Sequence, residues 1–318
     1  MPATADTLQG MLFKLVEATK DTVLIMSSED CDEAGARIVY ANPAFCRAFG
    51  YTKKEIIGKP PWVLQGPDTC QSTLNHIATA VKAGDECQEE ILLYSKDGVP
   101  YWIDMHIVPL CDGEGEAKYV GAMQRNITDK KVALEKLKRL ALEDSLTGIG
   151  NRAALQKHLE SMGRIDGAAE DNPCMLLFDM DGFKHINDTL GHMVGDEILK
   201  NFARYIVLSL GPNDFMARLG GDEFVAILKG YPRDAAISFA EHAVANLTSM
   251  NVCGAAKVSL SVGVTFFQAG EDMTTVIARA DTALYWAKGA GRGTVRVYSP
   301  ELIDTAMSES PSHGLQTG

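Results

Sequence analysis

Three short runs in the C-terminal half carry side chains whose types and spacing could handle a phosphorylated ligand. The first, Phe178-Asp179-Met180-Asp181-Gly182-Phe183-Lys184, closes an apolar stretch. Carboxylates that leave a strand end into a glycine turn can hold Mg2+, and the backbone N–H groups that follow can point at phosphate oxygens. The second, Arg218-Leu219-Gly220-Gly221-Asp222-Glu223-Phe224, sets two acids directly after two glycines, between strand-like runs. The glycines allow a tight hairpin and leave space beside the backbone, so Asp222 and Glu223 could complete a two-metal site with Asp179. The third is Lys288 with Arg292, at a helix end and in a glycine-rich turn, suited to a triphosphate tail. Taken singly, each run also reads as solvated acids or bases at a surface turn.

The rest of the chain must position these runs. Its 318 residues suggest two domains of ordinary size. Acidic residues number 42 against 30 basic ones, a formal charge of −12, which disfavours binding to a nucleic-acid polymer through phosphate neutralisation. Hydrophobic residues at 46% and charged ones at 23% predict a packed core. Met1 to Gly10 lacks the pattern of a secretory signal, and no apolar run approaches the roughly 20 residues of a membrane span. The seven cysteines are scattered without a C-x-x-C pair, which favours reduced thiols in the cytoplasm over disulfides or zinc.

Periodicity predicts a helix over 8–20, strands at 22–26 and 37–41, short helical turns through 42–66, and a helix over 73–83. Strands follow at 89–95, 99–110 and 119–126, and a charged helix covers 127–143. In that helix Ile127, Leu134 and Ala141 lie seven apart with Leu137 between, as in a short two-stranded coiled coil. Beyond Asp144 the rhythm alternates: a strand at 174–179, helices, strands at 216–219 and 224–228, a helix over 232–249, a strand over 256–267 and a helix over 273–288. Residues 299–318, rich in Ser, Pro and Gly, read as disordered.

Residues Gly220-Gly221-Asp222-Glu223-Phe224 match the signature of the GGDEF diguanylate cyclases, and the resemblance runs from Asp144 to about Tyr298. It includes the entry motif Asp144 to Arg152, Asp179 to His192, Gly195-Asp196 and Ala280 to Arg292. The family joins two GTP molecules into cyclic di-GMP, and the resemblance implies two Mg2+ ions per active site on Asp179, Asp222, Glu223 and the Met180 carbonyl. It implies Glu223, Asp222 and Asp179 as the catalytic acids, with Glu223 either taking the hydroxyl proton or binding the second metal. Gly182, Phe183 and Lys184 would meet phosphates through N–H groups, joined by Lys288 and Arg292. Asn187 and Asp196 match the guanine-reading positions; a carboxylate can accept from guanine N1–H and the exocyclic amine, whereas adenine presents a bare acceptor at N1. Where many members carry an R-x-x-D product-inhibition site, this chain reads Gly211-Pro212-Asn213-Asp214, so tight feedback at that site is not expected.

The first half resembles the PAS family over Thr22 to Asp129, through Ala41-Asn42-Pro43-Ala44-Phe45, Glu55-Ile56-Ile57-Gly58, Lys96-Asp97-Gly98 and Ile127-Thr128-Asp129. Gly58 to Pro67 is most similar to the flavin-binding LOV subclass, but Pro61 stands at the photoreactive cysteine position. Gln124 keeps one polar contact to an isoalloxazine, while Leu93 and Ile103 replace two asparagines. Trp62 and Trp102 are further pocket candidates, and His76 is a haem candidate disfavoured because a lone helix histidine is ordinarily a packing residue. An apolar metabolite, a loosely held flavin, or no ligand with a purely dimerising role stay open.

The expected architecture is α+β and α/β. A helix (1–21) precedes a PAS sensor with a five-stranded antiparallel sheet (22–128), a coiled-coil linker (129–143), a cyclase domain with a central mixed sheet (144–298) and a tail (299–318). The expected function is a sensor-regulated, homodimeric diguanylate cyclase in the cytoplasm. The alternative is a catalytically silent scaffold that binds GTP or cyclic di-GMP.

Overall fold

The computed structural model describes residues 4–27, 36–111, 117–162, 172–249, 258–268 and 270–300. The chain divides into two compact units, residues 1–135 and 136–318, each with its own core. The division falls inside the charged helix, here α5 (Thr128–Leu142). No helix among the described residues is long and apolar enough to cross a membrane. The expected tail from 301 onward, most of the loop after β1, Cys31 and Cys253 lie outside the described residues.

In the first unit α1 (Ala5–Ala18) leads into β1 (Thr22–Ser27) and β2 (Arg37–Ala41). Helices α2 (Pro43–Phe49), α3 (Lys53–Ile56) and α4 (Gln71–Ala83) follow, with a 3-10 turn at Pro61–Leu64. Strands β3 (Cys87–Tyr94), β4 (Pro100–Cys111) and β5 (Ala117–Asn126) complete an antiparallel sheet of order β2-β1-β5-β4-β3, as expected. Local chemistry explains the helix boundaries. Asn42 caps α2 by accepting from the Phe45 N–H, Pro43 sits in the first turn where its missing N–H costs nothing, and Gly50 ends the helix with φ 75°. Thr52 and Glu55 form a reciprocal capping box on α3.

Asn42 does more than cap. It is fully buried; its Oδ1 also accepts from the Val23 N–H at 3.1 Å, and its Nδ2 donates to the Val16 and Asp21 carbonyls at 3.1 and 3.0 Å. One amide thereby joins the end of α1, the start of β1 and the start of α2. The rest of α1 leaves Leu8, Met11, Leu12, Phe13 and Leu15 more than half exposed.

The second unit contains α6 (Arg152–Met162), β6 (Cys174–Asp181), α7 (Phe183–Leu190), α8 (His192–Ser209), β7 (Phe215–Gly220) and β8 (Glu223–Leu228). After these come α9 (Arg233–Ser249), β9 (Ser259–Phe266), α10 (Met273–Gly289) and β10 (Val295–Val297). The sheet order is β10-β9-β6-β8-β7, mixed because β10 alone pairs in parallel. Strand β6 is central and buried along nearly its whole length, which is why it reads as an unbroken apolar run. On one face Phe202 of α8 meets Phe178 and Phe224 edge-on, at 5.6 and 5.0 Å between ring centroids. Elsewhere α10 lies so close to β9 that a Cβ at Gly263 would stand 2.3 Å from the Ala280 carbonyl oxygen. That close approach fixes where α10 ends, and with it Lys288.

Several expectations change. Helix α6 and strand β10 were not read from the sequence. Ile127 does not belong to a linker seam: it is 6% exposed, and its N–H donates to the Trp102 carbonyl within the first unit. The exposed apolar residues of α5 are Val132, Leu134, Leu137 and Leu140.

Candidate active site and sensor cavity

The acids gather at one end of the mixed sheet. Strand pairing sets Asp179, near the end of β6, directly opposite Glu223, the first residue of β8. The turn before β8 is held by glycines at φ 145° and 53° (Gly220 and Gly221), and the Met180 N–H donates to the Asp222 carbonyl at 3.4 Å. Arg218 steadies the same turn: its Nε and Nη2 donate to the Gly221 carbonyl at 2.9 and 2.6 Å, and its Nη1 donates to Asp144 at 3.1 Å. The three predicted acids therefore share one edge.

Charge is unevenly balanced there. Burial pushes the Asp222 carboxyl above its ordinary value, the negative charge of Asp179 pushes it further, and Lys288 only partly opposes the rise. Lys288, at the end of α10, donates to Asp179 Oδ2 at 2.6 Å. Among the described residues no three His, Cys, Asp or Glu side chains form a ready-made metal cage. Mg2+ ordinarily takes one or two carboxylates and completes its shell with substrate phosphates and water. Hard oxygen donors on Asp179 and Asp222, one of them destabilised by the other's charge, fit that ion.

Directly after the acids of β6 the chain turns into the start of α7. Gly182 turns the chain with φ 71°, and α7 begins at Phe183, so the first N–H groups of the helix have no partner within it. Phe183 is buried and Lys184 is exposed. Arg292 approaches from the turn after α10, with its side chain 62% exposed. It is the one non-glycine residue with positive φ among those described, at 65°.

The base-reading candidates lie on the consecutive helices α7 and α8. Asn187 on α7 has a buried Oδ1 with no hydrogen-bond partner. Gly195 on α8 is what leaves room for it: a Cβ there would lie 2.0 Å from that oxygen. Asp196, the next residue, is partly buried, and its charge acts on Lys200 one turn on. Neither side chain caps a helix.

Asp214, the acid kept from the product-inhibition pattern, is occupied. It accepts from the Gly211 N–H at 2.7 Å, the Lys229 N–H at 2.9 Å and the Tyr231 hydroxyl at 2.9 Å.

In the first unit a cavity of about 430 Å³ opens between the sheet and α4. Leu24, Ile91, Leu93, Trp62 and Pro61 are among the residues that line it, with Gln124 as a polar member. The Gln124 Oε1 accepts from the Thr22 hydroxyl at 2.9 Å. Ser27 adds a buried Oγ without a partner. Three candidates fall elsewhere. Ile103 is buried in the core but is not part of the wall. His76 has a side chain 65% exposed and pairs with Glu89 outside the cavity, so it cannot serve as an axial haem ligand there. Trp102 lies on the outer face under Lys131. Leu93 presents aliphatic surface to the cavity, while Gln65, Gln71 and Asn75 join Gln124 as amides on its wall.

Some of this was not read from the sequence: Asp181, Ser259 and Ser261 as a bonded cluster, and Gly195 as the space for Asn187. A Ser-x-Ser at the start of a buried strand was the available signal.

Comparison with known proteins places both units. Residues 141–294 match the diguanylate cyclase GGDEF domain, and residues 20–129 match a PAS domain. A probable diguanylate cyclase, DgcE of Escherichia coli, is 26% identical over 85% of this chain and 25% of its own length. Diguanylate cyclase DgcM of the same species is 30% identical over 81% of this chain and 62% of its own. Cyclic di-GMP phosphodiesterase PdeR, also of E. coli, is 35% identical over 56% of this chain and 27% of its own. The chain thus spans between a quarter and just under two thirds of these relatives. Residues 20–129 are a PAS domain, residues 141–294 are a GGDEF domain of the diguanylate cyclase family, and the chain joins the two.

Proposed function

We propose that the chain condenses two GTP molecules into cyclic di-GMP and two pyrophosphates, as a homodimer regulated by its PAS unit. The buried, unpartnered Asn187 Oδ1, packed against α8 at Gly195 just before Asp196, carries the reading. Together they offer two acceptors where guanine presents its exocyclic amine and N1–H, whereas adenine presents a bare acceptor at N1.

In this reading the N–H groups at the start of α7, with Lys288 and Arg292, hold the triphosphate. Asp179 and Asp222 would hold Mg2+, which when bound supplies Lewis-acid stabilisation of charge on the phosphate being attacked. Lys288 exchanges Asp179 for phosphate oxygens as substrate enters. Glu223, exposed and opposite Asp179, is placed to accept the proton of the attacking 3′-hydroxyl or to bind a second ion. Each domain holds one GTP, so both nucleotides meet only when two domains face each other. The exposed Leu134 and Leu137 of α5 are suited to bring two chains together. The apolar cavity of the PAS unit suits a ligand with an apolar body and one polar end at Gln124.

Incubation with GTP and Mg2+ followed by chromatography tests the activity. Cyclic di-GMP from the wild type, lost in Glu223→Gln, is expected. No product from dimeric protein would leave the non-catalytic scaffold as the better reading.

A further inference from the structure

The acidic run at the end of β6 holds two aspartates in very different surroundings. Asp179 faces the site with Lys288 as its partner. The side chain of Asp181 is only 5% exposed, and donors surround it. Its Oδ1 accepts from the Ser261 hydroxyl at 2.8 Å, and the Arg292 Nε lies 4.0 Å away. Its Oδ2 accepts from the Ser259 hydroxyl at 2.7 Å and from the Gly293 N–H at 3.0 Å. A carboxylate offers about four acceptor positions, so little remains here for a metal ion or substrate.

The far end of this cluster is the turn that carries Arg292. Gly291, Arg292 and Gly293 have φ of 106°, 65° and 58°, three consecutive residues in conformations that side chains disfavour. The glycines accept this freely, but Arg292 must be held there. The turn is fastened on one side by the Arg292 N–H, which donates to the Ala287 carbonyl, and on the other by the Val262 N–H, which donates to the Thr294 carbonyl. Between those ties, the Asp181 carboxylate holds the Gly293 N–H and draws the guanidinium towards the strand end.

We propose that Asp181 is a positioning residue for phosphate binding: it fixes the left-handed turn from which Arg292 reaches the triphosphate, without itself touching metal or substrate. The proposal rests on the reading of Arg292 as a phosphate ligand. An amide in place of the carboxylate would set an NH2 group against donors, so Asp181→Asn should release the turn while keeping the side-chain volume.

A double-mutant cycle in the full chain tests it, using wild type, Asp181→Asn, Arg292→Ala and the double variant. Asp181→Asn is expected to raise the half-saturating GTP concentration about tenfold with kcat nearly unchanged, the pattern of lost ground-state binding. In the Arg292→Ala background it should change nothing further. An equal rise in both backgrounds, or none in the first, overturns the proposal. If Asp181→Asn does not fold, Ser259→Ala removes one donor from the cluster, and the same cycle is expected with a smaller rise. Hydrogen–deuterium exchange without nucleotide separates this proposal from the proposed activity. Faster exchange confined to residues 290–294 in Asp181→Asn supports the positioning role even if no cyclic di-GMP is made, and unchanged protection overturns it.

Discussion

The ammonium of Lys288, at the end of α10, lies 2.6 Å from Oδ2 of Asp179, at the end of β6. The helix that delivers it is seated on β9 through the bare backbone of Gly263, so a packing contact remote from the acids sets an ion pair among them. Because the lysine side chain is partly exposed, the pair should contribute only about 1 kcal/mol. Lys288→Met should therefore lower the melting temperature of metal-free protein by about 2–4 °C, and Mg2+ should recover most of the loss. Fluorimetric melting curves with and without Mg2+ check this; identical curves for the two proteins contradict it.

Asp222 makes the sign of a pH effect predictable. Its folded-state pKa is raised by burial and by Asp179, so as pH climbs through the carboxylate range the unfolded chain releases this proton first. Ionisation of Asp222 then weakens the metal-free fold. Asp222→Asn should be more stable than wild type without Mg2+, with an advantage that is small near pH 4 and grows towards pH 7, while forming no cyclic di-GMP. Urea denaturation across that range measures it, and an advantage independent of pH argues against the repulsion.

Gly195→Ala addresses the base pocket. The new methyl group would collide with Asn187 Oδ1 and displace the amide. The half-saturating GTP concentration should rise at least about tenfold, whereas the unit stays folded because Ala favours a helix by about 1 kcal/mol over Gly. Nucleotide titration paired with circular dichroism separates the two effects. Unchanged GTP affinity would remove Asn187 from the pocket.

Asp214→Ala should cost about 2–3 kcal/mol of stability, because three donors lose a common acceptor. It should not alter inhibition by cyclic di-GMP, which is expected to be weak in both proteins. Tight inhibition in wild type that vanishes in the variant would show a working product site instead.

Replacing Leu134 and Leu137 together with polar residues should lower activity per chain in dilute solution and restore it as concentration rises. Sedimentation with parallel rate measurements follows this. A fully active monomer would refute the dimer.

What could be read from the sequence depended on how each signal is carried. Asp222, Glu223, Lys288 and Arg292 stand in short motifs, and β6 announces itself as an apolar run with acids at its end. Helix α6 was hidden because its two buried anchors, Leu155 and Leu159, are too few to mark a period, while its cap is made by Asn151, already inside a motif. Strand β10 has three residues and exists only through its pairing with β9. Ile127 fell seven residues before Leu134 and so imitated a seam; burial beneath the first sheet overrides that spacing. Pairings across long sequence separations, such as Asp181 with Ser259 and Gly293, leave no periodic trace at all.

The amide of Asn42 has a consequence for how the molecule opens. Helix α1 is fastened near its last turn: by Val16 to that amide, and by Glu17 to Tyr40 and Lys53. Its earlier turns bury little. A low-cost excursion from the native state is then to unzip the early turns of α1 up to Val16, a local opening distinct from unfolding of the sheet. Proteolysis that begins in α1 would stop at Val16, where the Asn42 amide holds the helix.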